Sequence, residues 1–328
     1  MVGGSVRKAG GRVRIAGQLI DAETGATLWA DRFEGEIKDL FDLQDQVTGH
    51  TVAAIAPRLE EAEIARSKHK PTGSLDAYDC YLRGLAALYQ WTRPGSDEAL
   101  HYFKRAIALD ADFASAYGLA ARCYTQRKAS NWMTDQAAEE ADAVRMAERA
   151  VELGRDDAVA LGTAGFALAY IASRFSDGDA LTERALRLNP NFAWGWFFSG
   201  FIKAVSGEPD AAIERSTRAL QLSPQDPLSY SMELSIATAH FIAGRYAEAL
   251  QQTETVSRMQ PDRFTTLALM AACSAHLGLP DKAGAVMQRL RVLEPDLRLG
   301  NLRQRFPIKR EADFARWSEG LRMAGLPE

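Results

Sequence analysis

Ala193–Pro224 reads AWGWFFSGFIKAVSGEPDAAIERSTRALQLSP: two apolar-rich runs divided at Ser206-Gly-Glu-Pro209 and closed by a proline. Pro224 has counterparts at Pro190, Pro261 and Pro295, at separations of 34, 37 and 34 residues. Their settings match: Leu188-Asn-Pro-Asn-Phe192, Leu222-Ser-Pro-Gln-Asp226, Met259-Gln-Pro-Asp-Arg263 and Leu293-Glu-Pro-Asp-Leu297. Five residues before each proline stands a mid-sized apolar residue, Ala185, Ala219, Val256 or Leu290. Proline lacks an N–H and clashes inside a helix, so a recurring proline marks a recurring helix boundary. A boundary at that interval predicts paired helices of about a dozen residues each.

These residues resemble the tetratricopeptide repeat, whose unit runs W-x2-L-G-x2-Y, then A-x3-F, then P. Trp196 and Gly200 stand at first-helix positions, Ala212 and Ala219 at the small positions of the second helix, and Pro224 at the end. Ser199, Lys203 and Ser216 stand where the family prefers larger apolar residues. The register extends downstream through Tyr230 and Ala249, with three extra residues near Ala243-Gly-Arg245, and through Leu267, Ala271, Ala283 and Leu290. Upstream it keeps Leu161, Gly165 and Ala185; then Tyr117, Ala121, Tyr124 and Ala150; then Gly84, Ala99, Phe103 and Ala106. Insertions fall at Lys128–Met133 and Trp91–Ser96. The resemblance implies a mainly α protein, a tetratricopeptide α-solenoid of about six helix pairs over residues 73–297.

Residues 298–328 read as a basic connector and a C-terminal capping helix. Arg298–Arg310 carries Arg303, Arg305 and Lys309 and no acid, and is expected to be a solvated loop. Phe314, Trp317 and Leu321 then share one helical face, and Gly325 supplies the stop.

The first residues follow a different period. Val13, Ile15 and Leu19 alternate with Arg12, Arg14 and Gln18, which predicts a half-buried strand. Asp21–Gly25 is turn chemistry and Thr27–Phe33 the returning strand, giving a β-hairpin over residues 1–37. Leu40, Leu43, Val47 and Ile55 predict a connecting helix, and a linker closes the segment 38–72. Gly4–Ile15, Gln18–Ala22, Leu28–Phe33 and Phe41–Asp45 are similar to the end of a TolB-like domain. That module precedes tetratricopeptide arrays in bacterial class III adenylate/guanylate cyclase-type proteins and in winged-helix regulators of the CadC type. The resemblance implies a partial α/β remnant and a regulatory C-terminal part whose effector domain would lie upstream of Met1. A lone hairpin has unpaired edges, so packing on the helix at 39–56 or self-association with a second copy is expected.

Composition narrows the function. The 328 residues carry 39 Lys+Arg against 43 Asp+Glu, a net charge of -4 that argues against a nucleic-acid partner. The three cysteines are scattered and suit a reducing cytoplasm, and the N-terminus has no apolar core of a secretory signal. The most apolar run, Phe192–Val205, is interrupted by Lys203 and too short to span a bilayer, so no membrane association is expected. No phosphate loop, HExxH or GxSxG occurs, and the histidines lack ligand spacing, although His240 and His276 fall in first helices of adjacent repeats. Neither an enzyme activity nor a cofactor or metal is expected.

In the family the first helices line a concave groove. Carried onto this register, the groove candidates are Tyr78, Tyr81, Leu85 and Leu88, then Phe166 and Tyr170. Trp194, Phe197, Phe201, Leu234 and Phe241 complete the set, with Arg122 as its cation. The expected partner is a protein or peptide presenting an apolar or amphipathic segment. The competing reading is that aromatic residues at helical spacing pack between repeats.

Overall fold

The computed structural model describes residues 2–9, 12–20, 27–36 and 76–328. From Ala77 onward twelve helices follow as six consecutive pairs. They are α1 (Ala77–Leu88) with α2 (Arg93–Leu109), α3 (Ala114–Ala129) with α4 (Gln136–Leu153), and α5 (Ala158–Ala172) with α6 (Phe175–Leu188). Then come α7 (Ala193–Ser206) with α8 (Pro209–Leu222), α9 (Ser229–Ile242) with α10 (Tyr246–Met259), and α11 (Phe264–His276) with α12 (Pro280–Leu293).

The two helices of a pair differ in what they bury. From α3 onward the first helices are enclosed on most sides: in α5 every residue from Ala160 to Ile171 is buried. Second helices keep one narrow inner stripe at i, i+4 and i+7: Ala99, Phe103 and Ala106; Gly178, Thr182 and Ala185; Ala283, Met287 and Leu290. A stripe that narrow leaves the outer face to solvent. Asp76, Thr92, Asp135 and Asp157 cap α1, α2, α4 and α5 by accepting a hydrogen bond from the backbone N–H three residues on. Pro209 and Pro280 open α8 and α12, where no N–H partner is needed.

The extra residues before Pro261 are not all near Ala243. Four residues join α6 to α7 and α10 to α11, but six, Ser223–Leu228, join α8 to α9. This longer loop carries Asp226, which is used below.

Close approach of α3 and α5 requires glycine at 118. A Cβ there would collide with the Thr163 hydroxyl and come within 3.2 Å of the Ala160 backbone. Gly284, on the exposed side of α12, has nothing within 4 Å of the same position. Gly118→Ala is expected to lower stability by about 1–3 kcal/mol through overpacking. Gly284→Ala is expected to raise it by about 0.5–1 kcal/mol through helix propensity. Urea unfolding of both variants checks the pair, and equal effects would contradict the packing.

The N-terminal residues form a sheet of three strands, β1 (Val2–Ala9), β2 (Arg12–Ile20) and β3 (Thr27–Glu36), antiparallel in that order. Val13, Leu19 and Phe33 are buried, while Arg12, Arg14 and Gln18 are exposed. Ile15 lies opposite Phe33, and Val6 opposite Ile15. The sequence suggested two strands; β1 is the addition. Residues 4–7 are exposed, so no apolar alternation announces this strand, and its pairing rests on backbone groups that any sequence supplies. The expected turn at 21–25 and the helix across residues 39–56 lie outside the described residues.

The C-terminal segment corrects an expectation. Arg298–Arg310 is not a solvated loop: Leu302, Phe306 and Ile308 are 0%, 2% and 5% exposed. After a short turn, Leu299–Asn301, and a four-residue helix α13 (Leu302–Arg305), the chain runs against α7, where the Lys309 N–H donates to the Val205 carbonyl at 2.9 Å. Arg305 donates two hydrogen bonds to Glu294, at 3.0 and 2.9 Å, and its guanidinium covers the Phe264 ring. The arginines that made the segment look solvated have partners, and the apolar residues between them decide its position. The last helix, α14 (Glu311–Met323), packs on α11 through Trp317 and Leu321.

Candidate functional site

Four first helices contribute to one chamber of about 60 Å³, partly open to solvent. Helix α3 presents Arg122, Thr125, Gln126 and Ala129. Helix α5 presents Phe166 and Tyr170, and α7 presents Trp194, Phe197, Phe198 and Phe201. From α9 come Ser231, Leu234, Ser235 and Thr238. Three of these sets repeat the spacing i, i+3, i+4, i+7, which places their members on one helical face. Leu88 and Trp91 from the first pair, Arg263 and Thr265 at the start of α11, and Phe306 of the connector complete the lining.

The wall is an aromatic network. Phe166 stacks on Phe198 at 4.7 Å and meets Phe201 edge-on at 5.5 Å; Tyr170 lies 5.6 Å from Phe201. Trp194 meets Phe197 edge-on at 5.3 Å, and Phe306 meets Phe201 edge-on at 5.9 Å. Burial pushes the Tyr170 phenol up to about 12, so it is neutral at physiological pH.

Two guanidinium groups reach this apolar surface, each laid on aromatic faces. Arg122 lies 3.9 Å from the Trp194 ring, and the Trp194 indole N–H donates to Asp226 at 2.9 Å. Asp226 also accepts from the Leu228 backbone N–H at 2.8 Å, and burial raises its pKa against these hydrogen bonds and the attraction of Arg122. Arg263 lies against both Trp91, at 4.4 Å, and Tyr230, at 4.7 Å, and donates to the Tyr230 hydroxyl at 3.1 Å. Burial depresses the Arg263 pKa, the mark of a cation drawn out of water. The contact of Trp91 with Tyr230 and Arg263 brings the first pair against the fifth and sixth.

Of the groove candidates, Arg122, Phe166, Tyr170, Trp194, Phe197, Phe201 and Leu234 line this chamber, as does Leu88. The other four do not. Tyr78 is 51% exposed and stacks on Tyr81, which in turn stacks on Phe113. Leu85 and Phe241 are buried core residues, the latter against Tyr246 and His276. Several lining residues fit both earlier readings: Phe197 and Phe201 are only 6% and 7% exposed, packed between repeats and yet bordering the chamber.

Arg122 is not the sole cation. Arg263 escaped sequence reading because it precedes a helix rather than lying in one, yet the register held a signal. It stands two residues after Pro261, where Phe192 stands after Pro190, so a cation replaces a ring at an equivalent position. Gln126 was legible as the residue one turn beyond Arg122. Phe306 was not, because nothing local relates it to the array. His240 and His276 are engaged separately: His240 accepts from Arg245 at 3.0 Å, and His276 stacks on Tyr246 at 4.4 Å. Among the described residues no group of three or more His, Cys, Asp or Glu is arranged to hold a metal.

No family model matches the chain. The crystal structure of the APC/C hetero-tetramer Cut9-Hcn1 superposes with a TM-score of 0.54 at 14% identity, over 76% of this chain and 43% of that one. TTC0263, a thermophilic TPR protein in Thermus thermophilus, gives a TM-score of 0.45 at 20% identity, over 62% of this chain and 100% of its own. The fold is a tetratricopeptide-type solenoid. In sequence, the chain is similar to "Putative adenylate cyclase 3" of Rhizobium meliloti (strain 1021), 36% identical over 114 residues. That match spans 35% of this chain and 19% of the relative. Among the described residues no helix is long and apolar enough to cross a membrane.

Proposed function

We propose that the chain is a protein-interaction and regulatory region that receives an apolar or amphipathic partner segment, one apolar side chain of which enters the aromatic chamber. The supporting observation is convergence: four first helices turn their equivalent faces onto one partly open space walled by rings. Its polar lining consists of hydroxyls, one amide and two guanidinium groups, with no imidazole or carboxylate to act as a base. Recognition rather than catalysis suits that chemistry. The similarity to a cyclase-named protein favours a more specific version, in which the array serves a nucleotide-cyclase-type signalling protein in the cytoplasm. The TolB-like character of the N-terminal sheet and self-association through its outer strands belong to the same proposal; the winged-helix alternative has no comparable relative to support it.

Ala129→Leu tests the docking. Ala129 is half-buried at the end of α3 and lines the chamber, so a leucine there fills space without breaking a hydrogen bond. Expected is a loss of captured partner of about tenfold or more, the scale of an occluded anchor pocket, with unchanged melting. Undiminished capture by this variant would contradict the chamber as the docking point.

A further inference from the structure

The chamber holds two features that an apolar side chain alone would leave unanswered. Arg263 is half-buried, no carboxylate pairs with it among the described residues, and its Nε has no hydrogen-bond partner among them. Gln126, 2% exposed, donates through its amide nitrogen to the Leu88 carbonyl at 3.3 Å, while its Oε1 is likewise without a partner. An unpaired cation and an unpaired acceptor in an apolar site are costly, and both are relieved by a ligand with a negative charge and a donor.

The geometry is held ready rather than formed on demand. Trp91 adopts a left-handed backbone with φ +46, a strained state for a bulky residue, and this places its ring on Arg263 and Tyr230. Tyr230 also lies against the guanidinium and takes one of its hydrogen bonds, so the N–H groups that it does not engage are left to define an anion position. The chain's own Phe306 and Trp91 both border the space. What remains, about 60 Å³, is several times the ~10–15 Å³ that one water needs, and suits a small molecule rather than a helix.

We propose that the chamber is a binding site for a small apolar monocarboxylate bearing one hydroxyl or N–H donor. Its carboxylate pairs with Arg263, its donor reaches Gln126 Oε1, and its hydrocarbon body lies on Phe166, Phe197 and Phe201. This rests on the chamber being the recognition site proposed above and goes further: the acid occupies the space a partner's side chain would enter, so acid and partner compete. The array then reports the acid's concentration through partner release.

Calorimetric titration of the full chain with 2-hydroxy-4-methylpentanoate tests this, against its amide and against 4-methylpentanoate. The hydroxy acid is expected to bind at least about tenfold more tightly than the amide, because a charge-assisted hydrogen bond is lost. It is expected to bind several-fold more tightly than the acid lacking the hydroxyl. Arg263→Gln should reduce the acid to the level of the amide, and Arg263→Lys should restore part of the difference. Should Arg263→Gln fail to fold, the acid–amide comparison on the native chain still decides. Equal binding of acid and amide, or no binding of either, overturns the proposal; equal binding of the two acids overturns the assignment of Gln126. Partner capture that persists while the acid does not bind defeats this inference alone. Acid binding with partner capture insensitive to Ala129→Leu defeats the docking reading alone.

Discussion

Trp317→Ala is expected to destabilise the C-terminal part of the array by about 3–5 kcal/mol, the range for truncating a fully buried large ring. Trp317 is 1% exposed and lies 5.5 Å from Phe306 and 6.2 Å from Phe314, so it joins the last helix to the connector. Its removal loosens three things together: α14 on α11, Phe306 on Phe201, and one border of the chamber. In a solenoid each repeat contacts mainly its neighbours, so the loss is local. Amide exchange should accelerate across residues 298–328, α11 and α12, while α3 to α6 keep their protection. Trp317→Phe should cost much less, because the indole N–H has no hydrogen-bond partner among the described residues and most of the ring is retained. Uniform loss of protection along the array, or a cost below about 1 kcal/mol for the alanine variant, would show that the last helix is not seated as described.

Phe198→Ala has the second large effect, again about 3–5 kcal/mol. Phe198 is 0% exposed and touches the rings of Phe166, Phe192, Trp194 and Phe197, with the Arg122 guanidinium 5.7 Å from its centre. Truncation opens a cavity at the centre of the array and releases the ring that holds Phe166 against the chamber. Two residues earlier, Trp196 is half-buried and its indole N–H donates to the Pro190 carbonyl at 2.7 Å. Trp196→Ala should cost only about 1–2 kcal/mol, one hydrogen bond and partial burial. Denaturant unfolding of the two variants separates them. A larger loss at Trp196 than at Phe198 would invert the burial of α7.

Phe197 and Phe201 show why simple alanine scanning cannot isolate recognition here. Both border the chamber and both pack between repeats, so truncating either removes core and site together. Space-filling at Ala129 and charge removal at Arg263 avoid that entanglement, since both leave the rings of Phe197 and Phe201 in place.

Much of the fold was legible because its determinants are local. Proline at a fixed interval breaks helices wherever it occurs, and the small inner residues Ala99, Ala106, Ala212 and Ala219 follow the helical period within one segment. The faces carrying Arg122, Phe166, Trp194 and Phe201 followed from the same register. The failures have one physical origin as well. Strand β1 is held by backbone pairing with little side-chain pattern, and Phe306 and Arg263 acquire their roles from residues remote in the chain.

Helix count, pairing and the apolar nature of the inner face are thus properties of the 328-residue string itself, set by residue chemistry over a few turns. Whether that inner face becomes an open groove or a small chamber is set by the rotation between successive pairs, summed over the five steps that join six of them. That sum brings Trp91 to Arg263 and lays the connector's Phe306 on Phe201. No local period encodes it, because each contribution is a small packing angle and only their accumulation closes the space.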